Sequence, residues 1–195
     1  MSSTVIALRP HAKEDTSSYV GIVVALASWA MMFAGFFFIY AAVRSRATSW
    51  PPLGVPKLPV TLPAINTAVI VASSVVIHRA VKHLQAGAIE KFKRGIAIGL
   101  FLGVTFLELQ ALLWSDVRHM GVYMSSGIYG SIFFGFTYLH AAHIVVGLAA
   151  LLFVWIRARN GHYGVHNWFG VRSVAFFWHF VDAIWIVMFV TLFLL

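Results

Sequence analysis

Five long apolar stretches make up most of this chain, and short polar segments separate them. A bilayer core about 30 Å thick needs about 20 apolar residues in a helix, because every backbone amide and carbonyl must find its partner within the span. Each stretch reaches that length. We therefore predict an all-α integral membrane bundle of five transmembrane helices, at about residues 19–43, 60–84, 94–115, 127–157 and 172–194.

The composition agrees with a chain that folds in lipid. Of its 195 residues, 61% are hydrophobic and only 10% are charged, which lies outside the balance of a soluble domain. We expect residues 1–18 to form a polar N-terminal tail and residues 19–195 to form a single transmembrane domain. Cysteine is absent, which excludes disulfides, thiolate metal sites, iron–sulfur clusters and cysteine nucleophiles.

The distribution of positive charge indicates how the chain is oriented in the membrane. A net charge of +8 could suggest nucleic acid as a partner, but the cations lie between apolar runs, where they act as topology signals, and we expect no nucleic acid to bind. The predicted spans divide the Lys and Arg residues ten to four between the two sides, which places the N-terminus in the cytoplasm and the C-terminus outside. The more basic side holds Arg9, Lys13, Arg79, Lys82, Lys91, Lys93, Arg94, Arg157, Arg159 and Arg172, and the other holds Arg44, Arg46, Lys57 and Arg118.

Small residues recur every fourth position on two of the predicted helices. The rows are Gly95, Gly99 and Gly103 on the third span and Ala64, Ala68 and Ala72 on the second. Such rows let helix backbones approach closely. We expect both rows to pack inside the bundle, and contact with a partner subunit is the alternative.

Ionisable side chains inside the spans carry the functional information, because lipid rejects them. A carboxylate at the centre of a membrane helix costs about 2.5–3.5 kcal/mol on insertion scales. We predict that these residues form a structural polar core or a subunit contact; a proton-conducting role and a metal or haem site remain open alternatives. The candidates are Glu108, His140, His143, His179 and Asp182.

The spacing of His179 and Asp182 suggests a bond between them. Residues three apart share a helix face, where an aspartate can accept from an imidazole. We expect that Asp182→Ala weakens assembly by about 1–3 kcal/mol, since one side of a buried pairing would be left unsatisfied. The sequence contains no phosphate-binding glycine loop or nucleophile elbow, so we expect no catalytic residue in this chain.

Several motifs carry a family resemblance. The run from Phe177 to Trp185 resembles the closing-helix signature of subunit III of cytochrome c oxidases and related quinol oxidases. Further pieces agree in order and spacing, over a region from about Ala27 to the C-terminus. These are Ser49–Pro52 with Leu62–Thr67, Ser126–Phe134, and His140–His143.

The resemblance implies a five-helix bacterial form of a non-catalytic subunit, lying in the inner membrane. Such a subunit would carry no metal or cofactor, and haem and copper would reside in partner subunits. It would contact subunit I mainly, together with subunit II and membrane phospholipids. There it would stabilise the catalytic subunit and support proton uptake and the access of lipid and oxygen, while oxygen is reduced to water with proton translocation. Membership of a larger respiratory supercomplex stays open.

The chain departs from the family pattern at two carboxylates. The family usually carries a glutamate six residues before the glycine matched by Gly35, and here that residue is Trp29. A second frequent carboxylate would fall near Leu113. These departures weaken proton transfer through those positions. They leave open a subunit III-like partner of a quinol oxidase or a nitric oxide reductase, and further alternatives are a small membrane metal or haem redox protein and a transporter.

Overall fold

The structure is a computed structural model that describes residues 11–164 and 167–195, with side chains from residue 20 onward. Each of its five helices holds a segment long and apolar enough to cross a membrane. The predicted all-α bundle of five transmembrane helices is therefore confirmed. The helices are α1 His11–Arg46, α2 Thr61–Gln85, α3 Ile89–His119, α4 Ile128–Arg159 and α5 Phe169–Phe189, which continues into a π-helical turn at Val190–Leu194.

Most helices run past their predicted ends. α1 begins at His11, so part of the stretch expected as a tail is helical, and residues 1–10 lie outside the described residues. α3 begins at Ile89, where Lys93 and Glu90 form an ion pair of 2.9 Å on its first turns. Apolar length measures only the part of a helix in hydrocarbon, and the backbone keeps its hydrogen bonds beyond it while charged side chains reach water.

The glycine row of α3 packs inside the bundle, as predicted. A β-carbon at Gly95 would lie 2.6 Å from Cβ of Ala80, and one at Gly99 would lie 2.7 Å from Cγ1 of Ile77, both on α2. Ser73 on α2 donates a hydrogen bond of 3.3 Å to the carbonyl of Gly99. The backbone of α3 therefore lies so close to α2 that only glycine fits at these positions.

The alanine row of α2 lies on the other side of that helix. Ala64, Ala68 and Ala72 are exposed, so the expectation that they pack inside the bundle is wrong. The buried face of α2 carries apolar residues and two polar ones, and its C-terminal half packs against Gly95 and Gly99 of α3. It consists of Pro63, Asn66, Ile70, Ser73, Ile77, Ala80 and Leu84.

α1 is attached to α4 and α5 mainly by aromatic rings. The Trp29 ring centroid lies 5.0 Å from that of Phe177, and the Phe37 centroid lies 5.0 Å from that of Phe136. At the far end of α1, the Tyr40 hydroxyl donates a hydrogen bond of 2.6 Å to the carbonyl of Thr191. Most other side chains of α1 remain exposed on the surface of this chain.

Trp178 joins three helices at the centre of the bundle. Its ring is fully buried and lies over two glycines. A β-carbon at Gly103 on α3 would come within 2.7 Å of the ring, and one at Gly147 on α4 within 2.9 Å. The absence of a side chain at both glycines makes the space that the indole fills.

Candidate functional site

The polar residues predicted in the spans do not form one hydrogen-bonded network. His140 is fully buried on α4, and its ring is surrounded by aromatic rings. The centroid distances are 5.4 Å to Trp185, 5.9 Å to Phe106 and 6.5 Å to Phe33. Neither ring nitrogen has a hydrogen-bond partner among the described residues. Within this chain, His140 therefore contributes packing and no hydrogen bond.

His143 faces α1. Its Nδ1 lies 2.7 Å from the carbonyl oxygen of Leu139, to which a protonated Nδ1 donates within the helix. The ring also meets Trp29 edge-on at 5.5 Å and Phe33 at 5.3 Å. Trp29, which stands where the family resemblance predicts a glutamate, thus packs against a histidine and Phe177. The two α4 histidines help to hold the first helix on the bundle.

His179 pairs with α2 and not with Asp182. Its Nδ1 forms a short hydrogen bond with the hydroxyl of Ser74, and its ring lies 6.1 Å from that of His78. The expected hydrogen bond along α5 is not formed among the described residues, because the imidazole turns toward the neighbouring helix instead. His179 thus links α5 to α2.

Asp182 is buried without a hydrogen bond. Its side chain is 3% exposed, and neither carboxyl oxygen has a partner among the residues that the structure describes. The Ser74 hydroxyl lies beside this carboxyl, but it is engaged with His179. Asp182 is therefore a buried carboxyl that lies beside Ser74 but makes no hydrogen bond of its own among the described residues.

Asp182→Asn is expected to change the free energy of unfolding by less than about 1 kcal/mol. The amide keeps the shape of the side chain, and no bonded partner within the chain loses its hydrogen bond. The expectation for Asp182→Ala assumed a hydrogen bond between His179 and Asp182, which the described residues do not form. Thermal unfolding of the purified complex measures it, and a loss of about 2 kcal/mol or more would show that the carboxyl has a bonded partner outside this chain.

Glu108 lies on the outer surface of α3. It is exposed, and no hydrogen bond to it occurs within residues 20–164 and 167–195. The structure therefore separates Glu108 from the interior residues on α4 and α5. Of the two roles predicted for it, an interior partner within the bundle receives no support, and subunit contact remains.

Two amides between α2 and α3 form a polar contact that sequence reasoning missed. The side chain of Asn66 donates to Oε1 of Gln110 at 3.4 Å, and both residues are almost fully buried. Close by, the indole N–H of Trp185 donates to the Thr67 hydroxyl at 3.0 Å. The sequence does show two amide residues within apolar stretches. Because they lie on different helices, their spacing along the chain does not predict that they form a hydrogen bond.

No metal centre is assembled by the described residues. Within 11–164 and 167–195, no group of three or more His, Asp or Glu side chains is placed to hold a metal ion. His140 and His143 both pack against Phe33, whereas His179 bonds to Ser74 on α2.

Comparison with known proteins identifies the family. A sequence model described as "Cytochrome c oxidase subunit III" matches residues 11–195. This chain belongs to the cytochrome c oxidase subunit III family. A cytochrome c oxidase subunit 3 from Synechocystis sp. is 32% identical over 186 residues, covering 95% of this chain and 78% of the relative. Proteins of the same name from Oryctolagus cuniculus and Loxodonta africana are 33% and 32% identical over 179 residues, covering 89% of this chain and 67% of each relative.

Membership in the subunit III family defines the general role of this chain. Subunit III is a non-catalytic member of an oxidoreductase complex of the respiratory chain, and it binds no cofactor itself. This chain is therefore a multi-pass membrane subunit that assembles with other oxidase subunits. The family predicted from the closing-helix residues is confirmed. The separate small redox enzyme and the transporter are no longer needed as explanations.

Proposed function

We propose that this subunit III docks through the outer face of α3 on the haem-copper catalytic subunit, subunit I, and stabilises it. The observation that carries the proposal is the exposed carboxyl of Glu108 near the middle of the membrane span Ile89–His119. A charged or polar group at that depth is stable only with a partner or in a watery cavity. Since the chain supplies no partner among the described residues, we infer that a neighbouring subunit does.

The surroundings of Glu108 support a protein contact. Phe101, Val104 and Leu112 are exposed on the same face of α3, at 70%, 46% and 57%. Together with Glu108 they form an apolar stripe with one acid near its centre, and we call it the Glu108 stripe. An apolar patch with a central polar group suits a helix of another subunit that brings a matching polar side chain.

The wider role that we propose is the one implied by the family resemblance. Haem and copper lie in the partner subunits I and II, while subunit III steadies subunit I in the bacterial inner membrane, binds phospholipids and supports proton uptake from the cytoplasmic side. Residue 29 does not serve that uptake, because it is an indole packed against His143 and Phe177.

Replacing Glu108 tests the docking surface, because the change in recovered subunit I depends on whether the carboxyl contacts subunit I or lipid. If the carboxyl bonds to subunit I, Glu108→Leu removes a hydrogen bond worth about 1.5–3 kcal/mol, and the subunit I recovered with the tagged chain falls about tenfold or more. If the carboxyl faces lipid, the same change removes a costly group and recovery stays equal or rises. Asp116→Asn, on an exposed residue near the end of the same helix, is the control.

The orientation has its own test, because the natural chain contains no cysteine. We propose a cytoplasmic N-terminus, which places the α2–α3 loop in the cytoplasm and the α1–α2 loop outside. Single cysteines at Ala86 and Leu53, both exposed, report the two sides. An impermeant maleimide added to intact cells should label Leu53→Cys and leave Ala86→Cys unlabelled, and the reverse pattern would contradict the proposed orientation.

A further inference from the structure

A cleft opens between the last turns of α2 and the first turns of α5. Its volume is about 370 Å³. It lies at the end of the bundle where α2 finishes at Gln85 and α5 starts at Phe169, which is the proposed cytoplasmic end. We call it the α2–α5 cleft, and its main lining residues are His78, Lys82, Gln85, Arg172, Phe176 and His179.

The lining residues follow the same helical spacing on both walls. On each helix the three positions are separated by four and then three residues, which places them along one face. The α2 wall presents a histidine, a lysine and a glutamine, and the α5 wall presents an arginine, a phenylalanine and a histidine. The cleft is therefore made of two facing stripes rich in hydrogen-bond donors.

The cleft is positively charged and contains no carboxylate. Lys82 and Arg172 line it, and neither Asp nor Glu does. Among the described residues, the ion pair is formed by Lys93 and Glu90 at the start of α3. Within that part of the chain, neither Lys82 nor Arg172 has a carboxylate partner. Two cations that line one cavity from different helices favour an anion between them.

The arginine of the cleft is held in place by aromatic rings. The guanidinium carbon of Arg172 lies 5.6 Å from the ring centroid of Trp168 and 5.1 Å from that of Phe176. Such contacts restrict the side chain and leave its planar N–H donors available. An arginine positioned in this way is suited to the oxygens of a phosphate group.

His179 adds a further polar group at the inner end of the cleft. Its Nδ1 is engaged with the hydroxyl of Ser74, so Nε2 is the ring nitrogen left to meet a ligand. His78 lies across from it, with ring centroids 6.1 Å apart. The polar lining thus reaches below the two cations toward the membrane interior.

We propose that the α2–α5 cleft is a binding site for a phosphate group, held between Lys82 and Arg172. At the end of a membrane span the group is carried by an anionic phospholipid, since basic pockets between transmembrane helices at the cytoplasmic face suit such headgroups. Phe176 lies on the cleft wall where the apolar part of a lipid would continue. Soluble inorganic phosphate is the other source of the same chemistry. The inference rests on the proposed function, since it gives a location for the bound phospholipid.

Lipid counting on the purified oxidase complex tests the site. The complex is delipidated in mild detergent and titrated with phosphatidylglycerol, and native mass spectrometry counts the lipids retained. We expect the Lys82→Gln/Arg172→Gln double variant to lose one tightly bound phosphatidylglycerol, with affinity reduced at least about tenfold, because both charge-assisted contacts are gone. Arg159→Gln is the matched control, because it lies at the same end and stacks on Trp155 at 4.9 Å outside the cleft.

A second arm separates the two sources of phosphate. Inorganic phosphate at millimolar concentration should fail to displace the bound phosphatidylglycerol if the ligand is a lipid. If the wild-type complex binds inorganic phosphate at the cleft and phosphatidylglycerol does not compete, the site is retained and its source is soluble. Equal binding of both probes to the double variant and to Arg159→Gln would overturn the proposal.

Two controls keep the outcome interpretable. The charge-preserving variant Lys82→Arg/Arg172→Lys should retain the lipid, which separates lost charge from disturbed folding. In wild type, a photoreactive phosphatidylglycerol should cross-link to peptides of α2 and α5, and cross-links confined to other helices would contradict the assignment. Recovery of subunit I with each variant reports docking separately, so loss of the lipid with intact recovery concerns the cleft alone.

Discussion

Trp178→Ala is expected to lower the free energy of unfolding of this subunit by about 3 kcal/mol, toward the lower end of the values for buried tryptophans. The ring is fully buried and touches α3 and α4 from its position on α5. Membrane helices are held by packing more than by exclusion from water, so the loss arises from the cavity and the missing van der Waals contacts. Thermal unfolding in detergent, followed by circular dichroism, measures the change.

Phe38→Ala provides the control for that experiment. Phe38 is 75% exposed on α1, so the substitution removes an aromatic ring without opening a cavity inside the bundle. We expect its unfolding free energy to stay within about 0.5 kcal/mol of the wild type. Equal destabilisation by both variants would mean that Trp178 does not join the three helices as the structure places it.

Gly147→Leu is the second substitution with a large expected effect. A β-carbon at Gly147 would lie 2.9 Å from Cε3 of Trp178 and 3.2 Å from Cε1 of Phe177, so any side chain pushes α5 away from α4. Overpacking of this kind costs about 1–3 kcal/mol and sometimes more. We expect less subunit in the membrane and a lower unfolding temperature for the chain that remains.

The same helix offers a matched control. Gly135 is also on α4, and a β-carbon there would meet nothing within 4 Å. Gly135→Leu should therefore fold as the wild type does. If both leucine variants were equally destabilised, the effect would come from loss of glycine in α4 in general, and the close contact with Trp178 would not be its cause.

Much of the architecture could be predicted because lipid imposes a simple rule. A membrane helix must satisfy its own backbone and be apolar over a fixed length, and the five spans follow from that alone. The helix ends are less predictable, since α1 starts at His11 and α3 at Ile89 by continuing into the polar interface, where hydropathy gives no signal.

Side-chain contacts were harder to predict, because periodicity identifies the residues on one helix face but not the helix, subunit or lipid that this face contacts. The rows of Gly95 and Ala64 have the same spacing, yet the glycines pack inside the bundle and the alanines lie outside. Similarly, the interval from His179 to Asp182 suggests a bond along the helix, whereas the histidine bonds across it to Ser74. The partner on another helix decided both outcomes.

The central claim is that this chain is a non-redox subunit attached to a haem-copper subunit, and spectroscopy after affinity purification tests it most directly. The complex is isolated through a tag on this chain in mild detergent, its haem is quantified from the reduced-minus-oxidised spectrum, and the chain is then separated with a harsher detergent. We predict that haem and oxygen consumption accompany the complex and stay with the partner, and that the separated chain is colourless. Haem retained by the separated chain, or oxygen consumed by it alone, would contradict the account.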